Sequence, residues 1–108
     1  MRVLSMMGRG GVATRLTTSD TATALSAALL TVEGKKMSAC TIQCDKLGTN
    51  SARIAWGGTT PTLGASAVGY YLEAGKDIRI VGEHNCASLM YLSAITVTPA
   101  VLQIIPEY

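Results

Sequence analysis

From Met37 to the end, short stretches of alternating apolar and polar residues are cut by turn signals at intervals of about 8 to 12 residues. Side chains along a strand point alternately to two faces. Cys40, Ile42 and Cys44 therefore share one face, opposite Thr41 and Gln43. The same alternation sets Ala52, Ile54 and Trp56 against Arg53 and Ala55, and Ile78 and Ile80 against Asp77 and Arg79. Tyr70 to Leu72 is a shorter piece, and Leu89 to Val97 and Val101 to Ile105 end the series, with Pro99 between them. Asp45 to Ser51, Glu73 to Gly75 and Gly82 to Asn85 read as turns. Gly57 to Gly69 reads as a long Gly-, Thr- and Ser-rich loop containing Pro61. Parallel crossovers need about a dozen linking residues, usually a helix. None lies between these segments, so the expected fold class is all-β: an antiparallel β-sandwich, jelly-roll-like.

The segment before Met37 follows other rules. Gly8-Arg9-Gly10-Gly11 cannot sit inside a regular element. Residues 1–17 are expected to form an extended N-terminal arm, and residues 18–108 a single sandwich domain. One reading of the arm is a disordered tail. The other is an arm that orders on a neighbouring chain, because Val3, Leu4, Met6 and Met7 are apolar for a solvated tail. Arg2, Arg9 and Arg15 all precede the first acid, Asp20. Ser19 to Val32 is rich in β-branched Thr and is read as strand plus loop. A short helical turn is the alternative, from the spacing of Leu25, Ala28, Leu29 and Val32, with Ser19 or Asp20 as its cap. Glu33 to Lys36 is expected to be a turn.

The chain has 108 residues, enough for one domain with a real core. Apolar residues are 48% and charged residues 15%, against roughly 25% charged in an average domain. This composition excludes a disordered chain. Net charge is +2, too little to argue for nucleic acid, and Lys46, Arg53, Lys76 and Arg79 are scattered rather than interleaved with aromatics. No apolar run approaches the ~20 residues of a membrane span, and Met1 to Met7 is too short for a secretory core. Partners therefore exclude nucleic acid and membrane.

Catalytic, metal and cofactor sites are not expected. The three cysteines, Cys40, Cys44 and Cys86, read as small buried thiols. Cys40 and Cys44 would lie about 13 Å apart along one strand, beyond the ~7 Å that a disulfide spans. The single histidine, His84, falls in a turn next to Cys86, and the seven acids are dispersed. Trp56 beside the Gly-rich loop is a candidate sugar-stacking platform. Its competing role is a core residue on the Ile54 face, because a chain without Phe must fill its interior with Trp, Tyr and Leu.

Several motifs occur together in a recognisable order. Thr21-Ala22-Thr23-Ala24-Leu25 is followed by Ala39-Cys40-Thr41-Ile42-Gln43-Cys44-Asp45, then Asn50 and Arg53-Ile54-Ala55-Trp56-Gly57-Gly58. Leu72, Gly75, Ile78 and Ile80 come next, then Leu89 to Ile95 and Val101 to Ile104. From Thr18 to Ile105 this order resembles a family of small virion proteins of tailed bacteriophages. The resemblance implies a non-enzymatic decoration (cement) protein that binds the major capsid protein lattice, commonly as a homotrimer, at the capsid surface after synthesis in the host cytoplasm. A head–tail or tail accessory protein is implied as an alternative. On this reading the interface arm is Arg2, Val3, Leu4, Met6, Met7, Arg9 and Arg15, its arginines meeting acidic capsid patches. A carbohydrate-binding adhesion module, with Trp56 as its platform, is the rival.

Overall fold

The computed structural model describes residues 13–46, 50–94 and 99–108. Its strands are β1 (Thr14–Thr17), β2 (Thr23–Ala24), β3 (Thr31–Val32), β4 (Lys35–Lys36), β5 (Ala39–Cys44) and β6 (Ala52–Ala55), then β7 (Tyr70–Leu72), β8 (Asp77–Val81), β9 (Met90–Ser93) and β10 (Val101–Glu107). Two short helices, α1 (Ala27–Leu30) and α2 (Glu83–Ala87), complete it. The fold is all-β and antiparallel, as expected. One four-stranded sheet, sheet A, has the order β1-β10-β5-β8, and a second, sheet B, has β2-β9-β6-β7. The β3–β4 hairpin stands apart. Among the described residues no helix is long and apolar enough to cross a membrane.

The pairing is nested. β1 pairs with β10, β2 with β9, β5 with β8, and β6 with β7, all antiparallel. The first half of the chain thus folds back on the second like one long hairpin. Rolling that hairpin up adds the β10–β5 and β6–β9 contacts. The inward side chains form rows across sheet A: Thr14, Ile104, Ile42 and Ile78 in one, Leu16, Leu102 and Cys44 in the next, and Pro106, Cys40 and Ile80 in a third. Ala52, Ile54, Leu72 and Tyr91 answer from sheet B, and both sets belong to one core. The core is made of small and medium side chains, with Ile42, Ile54, Leu72, Leu89, Leu102 and Ile104 among its largest fully buried members. Pro106 is fully buried opposite Cys40 in the third inward row.

Four expectations change. Thr14–Thr17 forms an edge strand of sheet A instead of belonging to the arm, because Leu16 has a place in an inward row beside Leu102. Between Ser19 and Val32 both readings hold in part: β2 and β3 flank a one-turn helix, capped by Ser26, whose Oγ accepts from Leu29 N at 3.2 Å, and not by Ser19 or Asp20. Lys35 and Lys36 pair with Val32 and Thr31, so the turn shrinks to Glu33 and Gly34, whose φ values of 52° and 77° suit a tight hairpin. Gly82 to Asn85 is not a simple turn, since Glu83–Ala87 is helical and places Cys86 in the core. Ile95 to Val97, expected to continue a strand, lies outside the described residues.

The link from sheet A to sheet B after β1 is held by hydrogen bonds to main-chain carbonyls. Thr18 N and Oγ1 both donate to Ala100 O at 2.9 Å, and Ser93 N donates to Ser19 O at 2.7 Å. At the other end of the chain the Tyr108 hydroxyl donates to Leu29 O, fastening α1 to the core.

Ile42 is fully buried at the middle of the longest inward row. Ile42→Ala is expected to cost about 2–5 kcal/mol of stability. Equilibrium urea denaturation checks this, and a loss under about 1 kcal/mol would show that the two sheets do not close on this row.

Candidate functional surface

The outer faces of the two sheets differ. On sheet B, Arg53, Ala55, Tyr71, Met90 and Leu92 point away from the core, yet Ala55 and Leu92 are buried. The Gly57 to Gly69 loop lies against this face. Pro61 is fully buried, and the Thr60 hydroxyl meets the Met90 sulfur at 3.9 Å. Thr62 N donates to Val68 O at 3.0 Å, and Thr62 Oγ1 accepts from Val68 N at 2.9 Å, so the loop closes on itself. Gly69 returns the chain to β7 with φ +120°, and a Cβ there would come within 3.2 Å of Ile54 O and 3.3 Å of Pro61 Cβ. Arg53 fastens the junction: its guanidinium donates to Gly69 O at 3.1 Å and lies 5.2 Å from the centre of the Tyr71 ring.

Among the described residues no loop of that kind lies on the outer face of sheet A, although Ala39 there is buried. Its outward rows are Arg15, Gln103, Gln43 and Asp77, then Ile105, Thr41 and Arg79, then Glu107, Ala39 and Val81. The middle of this face is uncharged. Charges stand at its margins, and four of them are paired. Arg15 reaches Asp45 at 3.3 Å, and Arg79 grips Glu107 through Nε at 3.1 Å and a terminal nitrogen at 2.8 Å. Val81 and Ile105, 56% and 42% exposed, are two of the six exposed large apolar side chains among the described residues. An open depression of about 570 Å³ crosses one corner, lined by Ala13, Gln43, Asp45, Lys46, Gly75, Gln103 and Ile105. Residues 1–12 join the fold at this corner, through Ala13.

Of the arm residues, Arg2, Val3, Leu4, Met6, Met7 and Arg9 lie outside the described residues. Arg15 does not sit in the arm. It is on β1, with its side chain 61% exposed beside Asp45. Trp56 is half-buried and packs against the core. The aromatic rings that do stand exposed are Tyr70 and Tyr71, on the edge strand β7 beside the exposed Val68. They point to opposite faces of that strand. Sequence reading missed this pair and the Val81/Ile105 face, although two adjacent tyrosines in a short strand were a visible signal.

The ionisable groups do not converge. His84 is exposed, whereas Cys86, two residues on, is buried. All three cysteines are free, and burial pushes each thiol upward, Cys40 to about 12. Among the described residues no group of His, Cys, Asp or Glu is placed to hold a metal ion. Of the nine Lys and Arg, Arg2 and Arg9 precede residue 13, and the remaining seven equal the seven Asp and Glu. Residues 13–108 are thus formally neutral.

No family model, curated protein or solved structure matches this chain.

Gly69→Ala forces a side chain into a left-handed backbone and against main chain. It is expected to cost about 1–3 kcal/mol. Urea denaturation measures this, and an unchanged midpoint would mean that the loop does not bear on sheet B as described.

Proposed function

We propose that this chain is a non-enzymatic decoration (cement) protein of a tailed-bacteriophage head, binding the major capsid protein lattice through the outer face of sheet A and the adjoining N-terminal segment. The observation that carries this reading is the outer face of sheet A, uncharged at its centre and covered by no loop among the described residues, which borders Ala13. A surface that is to be buried in a stable assembly is depleted in charge and richer in apolar side chains than solvated surface. Val81 and Ile105 on this face fit that requirement. Residues 13–108 are formally neutral, so the net charge comes from Arg2 and Arg9, which suits an N-terminal segment that meets acidic patches. The nested strand order supports the jelly-roll form of the sandwich, an architecture used by viral capsid and lectin domains.

Lectin use of that architecture gives the second reading, a carbohydrate-binding module. Its support is Tyr71, half-exposed beside Arg53, rather than Trp56. A sugar ring would stack on the tyrosine and take hydrogen bonds from the guanidinium.

Four measurements test these readings. Electron microscopy of purified virions should place the protein on the head surface. Deleting Met1 to Gly11, and separately Ile105→Glu, should each weaken binding to heads lacking the protein by tenfold or more. Binding at full strength by both variants would remove the proposed surface. Light scattering at micromolar concentration should give a homotrimer, and a monomer would exclude assembly before capsid binding. A glycan array that shows binding abolished by Tyr71→Ala would favour the adhesion reading.

A further inference from the structure

Two of the three buried thiols form a pair. Cys40 on β5 and Ile80 on β8 are directly opposite in the sheet A register. The Cys86 thiol, on α2, donates to Ile80 O at 3.8 Å, which brings it over the same cross-strand position. Burial pushes both thiols up, and the neighbouring Cys86 adds to the rise at Cys40. Both are fully buried and neither is oxidised. Cys44 stands elsewhere: its thiol donates to Asn50 O at 3.2 Å. The charged and titratable groups that act on Cys40 are Glu107, Arg79 and Tyr108, and Arg79 and Glu107 already neutralise each other.

We propose that Cys40 and Cys86 are a latent disulfide that ties α2 to sheet A when the protein meets a disulfide-class oxidant. The chemistry is thiol–disulfide exchange. Both S–H bonds are lost, one S–S bond forms between the two cysteines, and the oxidant's disulfide is reduced to two thiols that take up both protons and both electrons. In the reduced fold the pair is protected, because the reacting species is the thiolate and burial disfavours it. The gate is α2, a five-residue helix with no side-chain cap at its start, so it opens at lower cost than the sheet beneath it. Closing the bond shortens the unfolded chain's freedom over the long interval between the two residues and stabilises the fold. This inference does not depend on the decoration reading.

The test uses the full chain, incubated with oxidised glutathione below its unfolding midpoint, then alkylated and mapped without reductant by mass spectrometry. A peptide linking Cys40 to Cys86 is expected, with Cys44 alkylated once the protein is unfolded. The thermal midpoint should rise by roughly 10 °C and fall back on reduction. Cys44→Ala should keep the linked peptide and the shift, and Cys86→Ala should lose both. Should Cys86→Ala fail to fold, the Cys44→Ala map decides alone. Three free thiols after prolonged oxidation, a linkage that includes Cys44, or dimers joined between chains would each overturn the proposal.

Discussion

The pairing of β10 with both β1 and β5 is the contact on which the rest of the fold depends. β10 is an inner strand of sheet A, built from the far end of the described chain, and it fills the gap between two strands from the first half. Without it, Leu16 and Cys44 lose Leu102 from their inward row, and Ile42 keeps only Ile78. Such pairing is non-local, so its loop-closure entropy is lost before any contact repays it. The apolar rows supply the compensation, since each fully buried Ile or Leu contributes about 1.5–3 kcal/mol. The same strand decides where Tyr108 lands, and therefore how α1 is held.

A consequence of the nested order is that the two outer faces end differently. The longest connection, from β6 to β7, is the bend of the rolled hairpin, and it folds over sheet B. Among the described residues no connection of comparable length lies across sheet A, whose outer face shows two exposed large apolar side chains and two ion pairs at its margin. Among the described residues the two sheets thus differ in how their outer faces are covered. Nor can Arg15 serve as part of a free arm. As a strand residue it is committed to the fold's own edge and to Asp45.

Much of the sheet framework was legible in the sequence because period-two alternation is a local property. Ala39–Cys44, Tyr70–Leu72 and Asp77–Val81 each sit where the pattern puts them. Misreadings cluster where local preference and burial compete. Thr14–Thr17 has the look of an arm, yet the vacancy beside β10 recruits it. The segment around Cys86 looks like a turn, yet a buried thiol and Leu89 draw it into a helical turn against the core. Lys35 and Lys36 look solvated and remain exposed, but their backbones pair in a hairpin.

By itself the sequence determined an all-β, antiparallel chain with a small-residue core and little charge, because alternation, turn residues and composition act over a few neighbours at a time. Which strands adjoin, which sheet face is covered, and which thiols meet were decided only by the tertiary structure. Those outcomes depend on contacts between residues far apart in the chain. Cys40 and Cys86 carry no mark in sequence that separates them from Cys44. They become a pair because the β5–β8 register and the start of α2 bring them to the same position in the core.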